Sequence, residues 1–149
     1  MHLCFVGKEG AYNFDWAMQC TAADGKYDIF CLCVECRAKD LDTALVSASR
    51  GGHRDIIDTC LRFGAKSLDK ALIAAAQSGR NDLIEYYITA GAKNVNEALL
   101  TAAPVKNKEA VVALLNLGAS EIGRARNNAR HMGCGEFAIF LENLMTNNK

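Results

Sequence analysis

The sequence repeats with a period of 27 residues over nearly its whole length. Glycine-alanine pairs begin at Gly64, Gly91 and Gly118, another begins at Gly10 two periods earlier, and Arg37 stands where the missing pair would begin. A second set of positions with the same period holds alanine: Ala17, Ala44, Ala71, Ala98 and Ala125. A fixed period of this length is typical of repeat proteins, in which each unit becomes stable by packing on its neighbours.

Two further sets of residues with this period predict where helices begin. The first set predicts the N-caps of a short, alanine-rich first helix. An apolar residue precedes each cap, and in the three central units another follows four residues after it, which predicts a hydrophobic staple. Its members are Asp15, Asp42, Asp69, Asn96 and Gly123. The second set predicts an acidic residue in the first turn of a second helix, where the helix dipole favours negative charge. Its members are Asp28, Asp55, Asp82, Glu109 and Glu136.

Glycines predict where the helices end. A turn containing Gly25, Gly52, Gly79 or Gly133 separates the two helices of a unit. The glycine of each glycine-alanine pair can take the left-handed conformation that ends a second helix. Arg37 lacks this freedom, so we expect a looser helix end in the first unit.

Together these patterns predict an all-α fold, a helix-turn-helix solenoid of about five stacked repeats that forms a single domain over residues 1–149. The repeats are predicted to start near residues 15, 42, 69, 96 and 123, and residues 1–14 to hold the second half of one more unit.

Residues 52–57 (GHRDII) and 60–65 (CLRFGA) resemble the second half of an ankyrin repeat. Residues 71–75 (ALIAA) resemble the first half less closely, because the threonine-proline pair and the histidine of that family are missing. The unit is shorter than the usual repeat of about 33 residues, which leaves no room for a long β-hairpin. In this respect the chain is similar to compact ankyrin proteins of large DNA viruses and of effectors.

The resemblance implies a protein–protein interaction module and not an enzyme. An ankyrin array of this kind would be an adaptor or decoy that binds a cellular protein, including a host protein in a host–virus interaction. The alternative is a structural segment of a longer repeat protein, or a self-associating scaffold with no independent partner. The half-unit at residues 1–14 favours that alternative.

Positions that differ between repeats are the candidates for partner binding. Arg50, Gln77 and Ser78 lie where first helices end, and Lys66 and Lys93 lie in the loops between units. Together with Lys39 the two loop lysines form a ladder, which is either a solvated edge or a stripe that binds an acidic partner. Arginines at 124, 126 and 130 are interpreted as part of a solvated end of the array.

Apolar residues at the outward positions of the last two units form a second candidate. Val112, Ile139 and Phe140 stand where the middle units carry residues such as Asp58 and Glu85. An apolar patch on a face that should contact water predicts a contact with a partner or with a second copy, as in a weak homodimer. The alternative is that the final unit rotates or shifts its register to cover the end of the stack.

The charge balance argues against nucleic-acid and membrane partners, because 17 basic and 17 acidic side chains leave a formal net charge of zero. No apolar run approaches the roughly 20 residues that span a bilayer, and the first residues do not resemble a secretory signal. We therefore expect a cytoplasmic or nuclear protein.

The chain has 7 cysteines, an odd number, and most of them lie in apolar stretches. They are interpreted as reduced thiols. Cys31, Cys33 and Cys36 have a spacing that could hold zinc, but on one helix it turns Cys31 away from the other two. We expect no metal, no cofactor and no catalytic residue.

Overall fold

The structure is a computed structural model that describes residues 13–147 of the chain. Within this range it contains ten α-helices and no strand, which confirms the predicted all-α class. The chain divides into two compact units, Met1–Ser67 and Leu68–Lys149, and each is described by itself. The single domain remains a prediction, and most of the half-unit predicted at residues 1–14 lies outside the described residues.

The helices recur with the period of the sequence. Unit 1 contains α1 (Phe14–Asp24), α2 (Tyr27–Glu35), α3 (Leu41–Gly51) and α4 (Arg54–Arg62). Unit 2 contains α5 (Leu68–Gln77), α6 (Asn81–Ala90), α7 (Val95–Ala102), α8 (Lys108–Asn116), α9 (Ile122–His131) and α10 (Gly135–Asn147). Each first helix begins 27 residues after the one before it, and so does each second helix. The first helices begin one residue before the predicted repeat starts.

Neighbouring helix pairs pack mainly through their first helices. In unit 1 α1 packs on α3, and in unit 2 α7 packs on both α5 and α9. The alanine of each first helix is buried at the same position, as Ala17 and Ala44 in unit 1 and as Ala71, Ala98 and Ala125 in unit 2. A methyl side chain lets the helices approach closely, so the alanine period of the sequence is a packing period.

The larger apolar side chains fill the interior of each unit. Phe30, Ile56 and Ile57 are fully buried in unit 1, as are Leu83 and Leu114 in unit 2. Burial of one such side chain stabilises the fold by about 1.5–3 kcal/mol. Helices of this length are marginal by themselves, so packing against neighbours is what holds each of them.

The residues predicted as N-caps do not cap helices. The true cap lies two positions earlier, where Asn13 accepts a hydrogen bond from the Trp16 N–H and Asp40 accepts one from the Thr43 N–H. The predicted caps Asp15 and Asp42 are therefore the second residues of α1 and α3. The predicted cap positions were wrong by two residues. The predicted staple was wrong as well, because its apolar residue is the first residue of the helix and does not precede the cap.

The same polar residues instead fasten the loop of the next pair. In unit 1 Asp15 Oδ1 accepts the backbone N–H groups of Lys39 and Asp40, at 2.6 and 3.1 Å. Asp42 Oδ1 accepts those of Lys66 and Ser67, at 2.7 and 3.0 Å. We call each such pair of bonds a loop latch.

Unit 2 contains the same loop latch twice. Asp69 Oδ1 accepts the N–H groups of Lys93 and Asn94, at 2.7 and 3.0 Å. Asn96 Oδ1 accepts those of Ser120 and Glu121, at 2.8 and 3.2 Å. An aspartate and an asparagine thus do the same work, which shows that one oxygen acceptor is sufficient for the latch.

The helix end at Arg37 is not looser than the others. Arg37 takes a φ of 68°, in the left-handed region that Gly64 occupies at 105°. The next residue, Ala38, donates its N–H to the Cys33 carbonyl at 3.0 Å, as Ala65 does to Cys60 at 2.9 Å. The arginine adopts this conformation at a cost of about 1–2 kcal/mol, and the predicted loosening was wrong because the bond that ends the helix still forms.

Substitutions at Asp69 test the loop latch. Asp69→Ala removes the acceptor and should lower the free energy of unfolding by about 1–3 kcal/mol, because two N–H groups lose their partner. Asp69→Asn keeps an amide oxygen at the same place and should cost less than about 1 kcal/mol, mainly through the lost helix-dipole interaction. Urea unfolding followed by circular dichroism measures both. Equal losses for the two variants would contradict the latch.

Candidate functional site

The candidate residues do not form one site within either unit. Arg50 is in the last turn of α3, whereas the Lys66 N–H is latched to Asp42 at the beginning of the same helix. Eight residues of helix separate these two ends by about 12 Å. Unit 2 repeats the arrangement, with Gln77 at the end of α5 and the Lys93 N–H latched to Asp69 at its beginning.

Each unit therefore has two edges. We call the turns inside the helix pairs the turn edge, which in unit 2 comprises residues 78–80, 103–107 and 132–134. We call the loops between pairs the loop edge, which in unit 2 comprises residues 91–94 and 117–121. Ser78 belongs to the turn edge, Gln77 is the last residue of α5 beside it, and Lys93 belongs to the loop edge.

The lysines of the loop edge take part in the latches through their backbone. The Lys39 and Lys66 side chains of unit 1 are exposed, and so is that of Lys93 in unit 2. In the latch of Asn96 the corresponding residue is Ser120. A lysine side chain is thus not needed for the latch, and the ladder as a stripe for an acidic partner remains a prediction.

The turn edge of unit 1 is closed by a histidine. His53 Nε2 lies 3.0 Å from the Ala23 carbonyl oxygen. The ring packs against two glycines, since a Cβ on Gly25 or on Gly51 would lie 2.5 Å from a ring atom. Glycine at both positions is what allows the imidazole to fill the space between successive turns.

The turn edge of unit 2 has a groove. It has a volume of about 400 Å³ and contains both candidates predicted here, together with five residues around them. The lining residues are Gln77, Ser78, Gly79, Asn81, Val105, Asn107 and Glu109. Val105 is 48% exposed, which is high for a residue of its size and polarity.

The groove is open because two residues differ from those of the turn that His53 closes in unit 1. Asn107 stands two periods after His53, and Val105 stands two periods after Gly51. In unit 1 a Cβ on Gly51 would lie 2.5 Å from an atom of the His53 ring. A histidine ring placed in the same way at residue 107 would therefore collide with the Val105 Cβ. Unit 2 therefore carries a smaller side chain here and leaves the space open.

Asn107 fixes the floor of this groove. Its Nδ2 donates a hydrogen bond to Asn81 Oδ1 at 2.9 Å, and its Oδ1 accepts the Ala110 N–H at 3.1 Å. The first bond joins α6 to the turn before α8, and the second caps α8. The side chains that line the groove thus stand on a frame that is already hydrogen-bonded.

The apolar patch predicted on the last two units is present on α8 and α10. We call it the α8–α10 patch, and it consists of Val112, Ala113, Ile139 and Phe140. Val112 is 40% and Ile139 58% exposed, whereas Phe140 is partly buried. A groove of about 490 Å³ lies between the helices, lined by Val112, Ala113 and Phe140 with Lys108, Glu109 and Asn116 around them.

The final helix pair does not shift its register. α10 begins 27 residues after α8, and Leu141 is fully buried like Leu114 one period earlier. The Lys108 Nζ lies 5.1 Å from the centre of the Phe140 ring, and the Phe137 ring lies 5.3 Å from it. The 27-residue register is thus kept to the last helix, and the alternative that the final helix pair rotates to cover the end of the stack remains a prediction.

The arginines of α9 face acidic partners. Arg124 bonds to Glu121 at 2.5 Å, whereas Arg126 and Arg130 lie 3.8 and 3.1 Å from Glu142 of α10. Arg126 stands one period after Leu99, which is fully buried. These pairs are consistent with the solvated end interpreted from the sequence.

The buried cysteines are held as neutral thiols. Burial, and to a smaller extent the nearby Asp42 carboxylate, together raise the pKa of the Cys60 thiol to about 12. Burial also raises the pKa of Cys33, with a contribution from Cys36 and against the hydrogen bond of Thr21, which lowers it. Within residues 13–147 no three histidine, cysteine or acidic side chains are placed to hold a metal ion.

Comparison with models of known protein families finds no match for the chain, and none of the curated proteins matches it either. None of the helices that the structure describes has the length and apolar character needed to cross a membrane.

Alkylation of the cysteines tests the thiol states. At about pH 8 only a minute fraction of Cys60 is thiolate, which is the reactive form, so iodoacetamide should leave Cys60 and Cys33 unmodified. Cys36 is exposed and should be labelled. Peptide mass spectrometry compares the folded protein with a urea-unfolded control, in which all three should react. Rapid labelling of Cys60 in the folded protein would contradict its burial as a neutral thiol.

Proposed function

We propose that the chain is an ankyrin-like solenoid and acts as a protein–protein interaction module, an adaptor or decoy that binds a cellular protein. The loop latch supports the solenoid, because the same two bonds join successive helix pairs in unit 1 and again in unit 2. The function rests on one observation, the contrast between a constant backbone and variable side chains at the turn edge of unit 2.

The backbone of these turns is constant. The last residue of each turn donates its N–H to a carbonyl five positions earlier: Arg80 to Ala75 at 2.9 Å, Asn107 to Ala102 at 3.3 Å and Cys134 to Ala129 at 2.8 Å. The left-handed residue before it is Gly79, Lys106 or Gly133. A turn that tolerates a lysine at this position is fixed by its hydrogen bonds more than by its sequence.

The side chains of the same turns differ. The tip residue is Ser78, Val105 or Met132, and all three are exposed, Met132 to 64%. A frame that stays the same while its exposed residues change is what recognition by a rigid scaffold requires, since the scaffold adds no ordering cost on binding. The groove of about 400 Å³ beside these tips supports binding at the turn edge.

The groove suits an extended segment of a partner protein. Gln77, Ser78 and Asn81 offer amide and hydroxyl groups to the backbone of such a segment, and Val105 offers a contact for one apolar side chain. Polar groups around a small apolar centre are the usual composition of such interfaces.

Deletion of one period tests the solenoid. Removal of residues 95–121 joins Asn94 to α9 and keeps the loop that Asp69 latches, so the chain should still unfold cooperatively with unchanged helix content per residue. Removal of residues 95–107 deletes a first helix without its partner and should abolish cooperative unfolding. Thermal unfolding followed by circular dichroism distinguishes the two. Loss of structure in both deletions would contradict the repeat architecture.

A closed-groove variant tests the interaction. Val105→Gly with Asn107→His transfers the histidine turn of unit 1 to unit 2 and should fill the groove while the helices remain. We expect a bound cellular protein, captured from lysate by the wild type and identified by mass spectrometry, to be reduced at least about tenfold, which corresponds to about 1.4 kcal/mol of binding free energy.

The matched control is Lys93→Glu, which reverses a charge on the loop edge without touching the groove. This variant should capture the same protein as the wild type does. Capture that survives groove closure but disappears with Lys93→Glu would move the binding site to the lysine ladder. Circular dichroism of both variants verifies that each is folded.

A further inference from the structure

We infer that the α8–α10 patch is an interface between two copies of this chain, related by a two-fold axis. The inference does not rest on binding at the turn edge, because the patch lies on the second helices and includes no tip residue of the turns. The two grooves share one lining residue, Glu109. It commits to one partner, a second copy of the same chain.

Within unit 2 the exposed apolar residues of the patch occur in the last two helix pairs and not in the first. One period before Val112 stands Glu85, an exposed acidic residue of α6, and Ile139 follows one period after Val112. The position thus changes from charged to apolar along unit 2 while the helices keep their register. Fold stability does not require this change, since Val112 and Ile139 remain exposed to 40% and 58%.

The patch contains both halves of a self-complementary contact. The groove beside Val112 and Ala113 is a depression of about 490 Å³. Ile139, next to Phe140 in α10, is a branched side chain that is 58% exposed and therefore packs little against its own chain. In a two-fold pair any contact between two residues occurs twice, so Ile139 of each copy would enter the groove of the other.

The charges around the patch favour a second copy over a partner of one charge sign. Lys108 and Glu109 both line the groove, and Glu136 stands in the first turn of α10. A partner with only acidic or only basic side chains would leave one sign opposed by a like charge. A second copy turned by half a rotation can place Lys108 opposite Glu109, and the formal net charge of zero gives no long-range repulsion between copies.

Sedimentation equilibrium of the full chain tests the interface. The average mass of the wild type should rise towards twice the monomer mass between micromolar and millimolar concentration. Ile139→Asp places a charge in the contact and should weaken association at least about tenfold. Because Ile139 is exposed, this variant should keep its helix content and its unfolding midpoint, unlike a substitution of Phe140, whose ring packs against Phe137.

The matched control is Met132→Asp, which adds the same charge at a residue that is 64% exposed on the turn edge. It should associate like the wild type. A wild type that stays monomeric throughout this range overturns the inference, and so does association that Met132→Asp abolishes and Ile139→Asp leaves intact.

A charge-reversal pair tests the two-fold arrangement directly. Lys108→Glu makes the charged residues around the groove all acidic, and Glu109→Lys makes the same two positions both basic, so each variant alone should associate at least about tenfold more weakly than the wild type. An equal mixture of the two should form heterodimers, seen by sedimentation with one variant fluorescently labelled. Failure of the mixture to recover association, while each variant remains folded, overturns the two-fold contact.

Discussion

The loop latch is the interaction on which the repeats of both units depend. A carboxylate or amide oxygen at the second position of a first helix accepts two consecutive N–H groups of the loop that precedes the next first helix. These N–H groups lie before a helix, where the backbone has donors with no partner inside the helix. One short side chain therefore satisfies two donors and fixes the distance between successive helix pairs.

Because the latch is made by backbone N–H groups, side chains can vary at the loop edge as well as at the turn edge. At the loop edge the residue identity matters little, since Lys93 and Ser120 present the same N–H. At the turn edge the backbone bonds are also constant, but the tip side chains point away from them. The difference explains why a search for variable residues identifies Gln77 and Ser78 in the groove, and why it also picks lysines whose structural contribution comes from the backbone.

Much of the fold could be predicted from the sequence, and the failures have physical causes. The helix starts follow from the 27-residue period, because glycine, alanine and acidic residues each keep it. The function of Asp69 could not be read in the same way, because an aspartate at the second position and one at the N-cap differ by two residues, and its bond partners lie 24 and 25 residues away. At Arg37 the expectation failed because a conformational cost of about 1–2 kcal/mol is smaller than the combined packing and hydrogen bonding of the helix end.

The groove shows how one small difference in a repeated frame creates a site. Asn107 was missed as a site residue, because an asparagine before a helix is explained by capping alone, and it does cap α8. Its second bond, to Asn81, becomes visible only when the neighbouring turn is placed beside it. The ring of His53 needs glycine at two turn positions, Gly25 and Gly51, and a single Cβ, that of Val105, is enough to exclude that arrangement. Since the latches keep successive turns in register whatever their side chains are, the choice between glycine with histidine and valine with asparagine changes the surface without changing the fold.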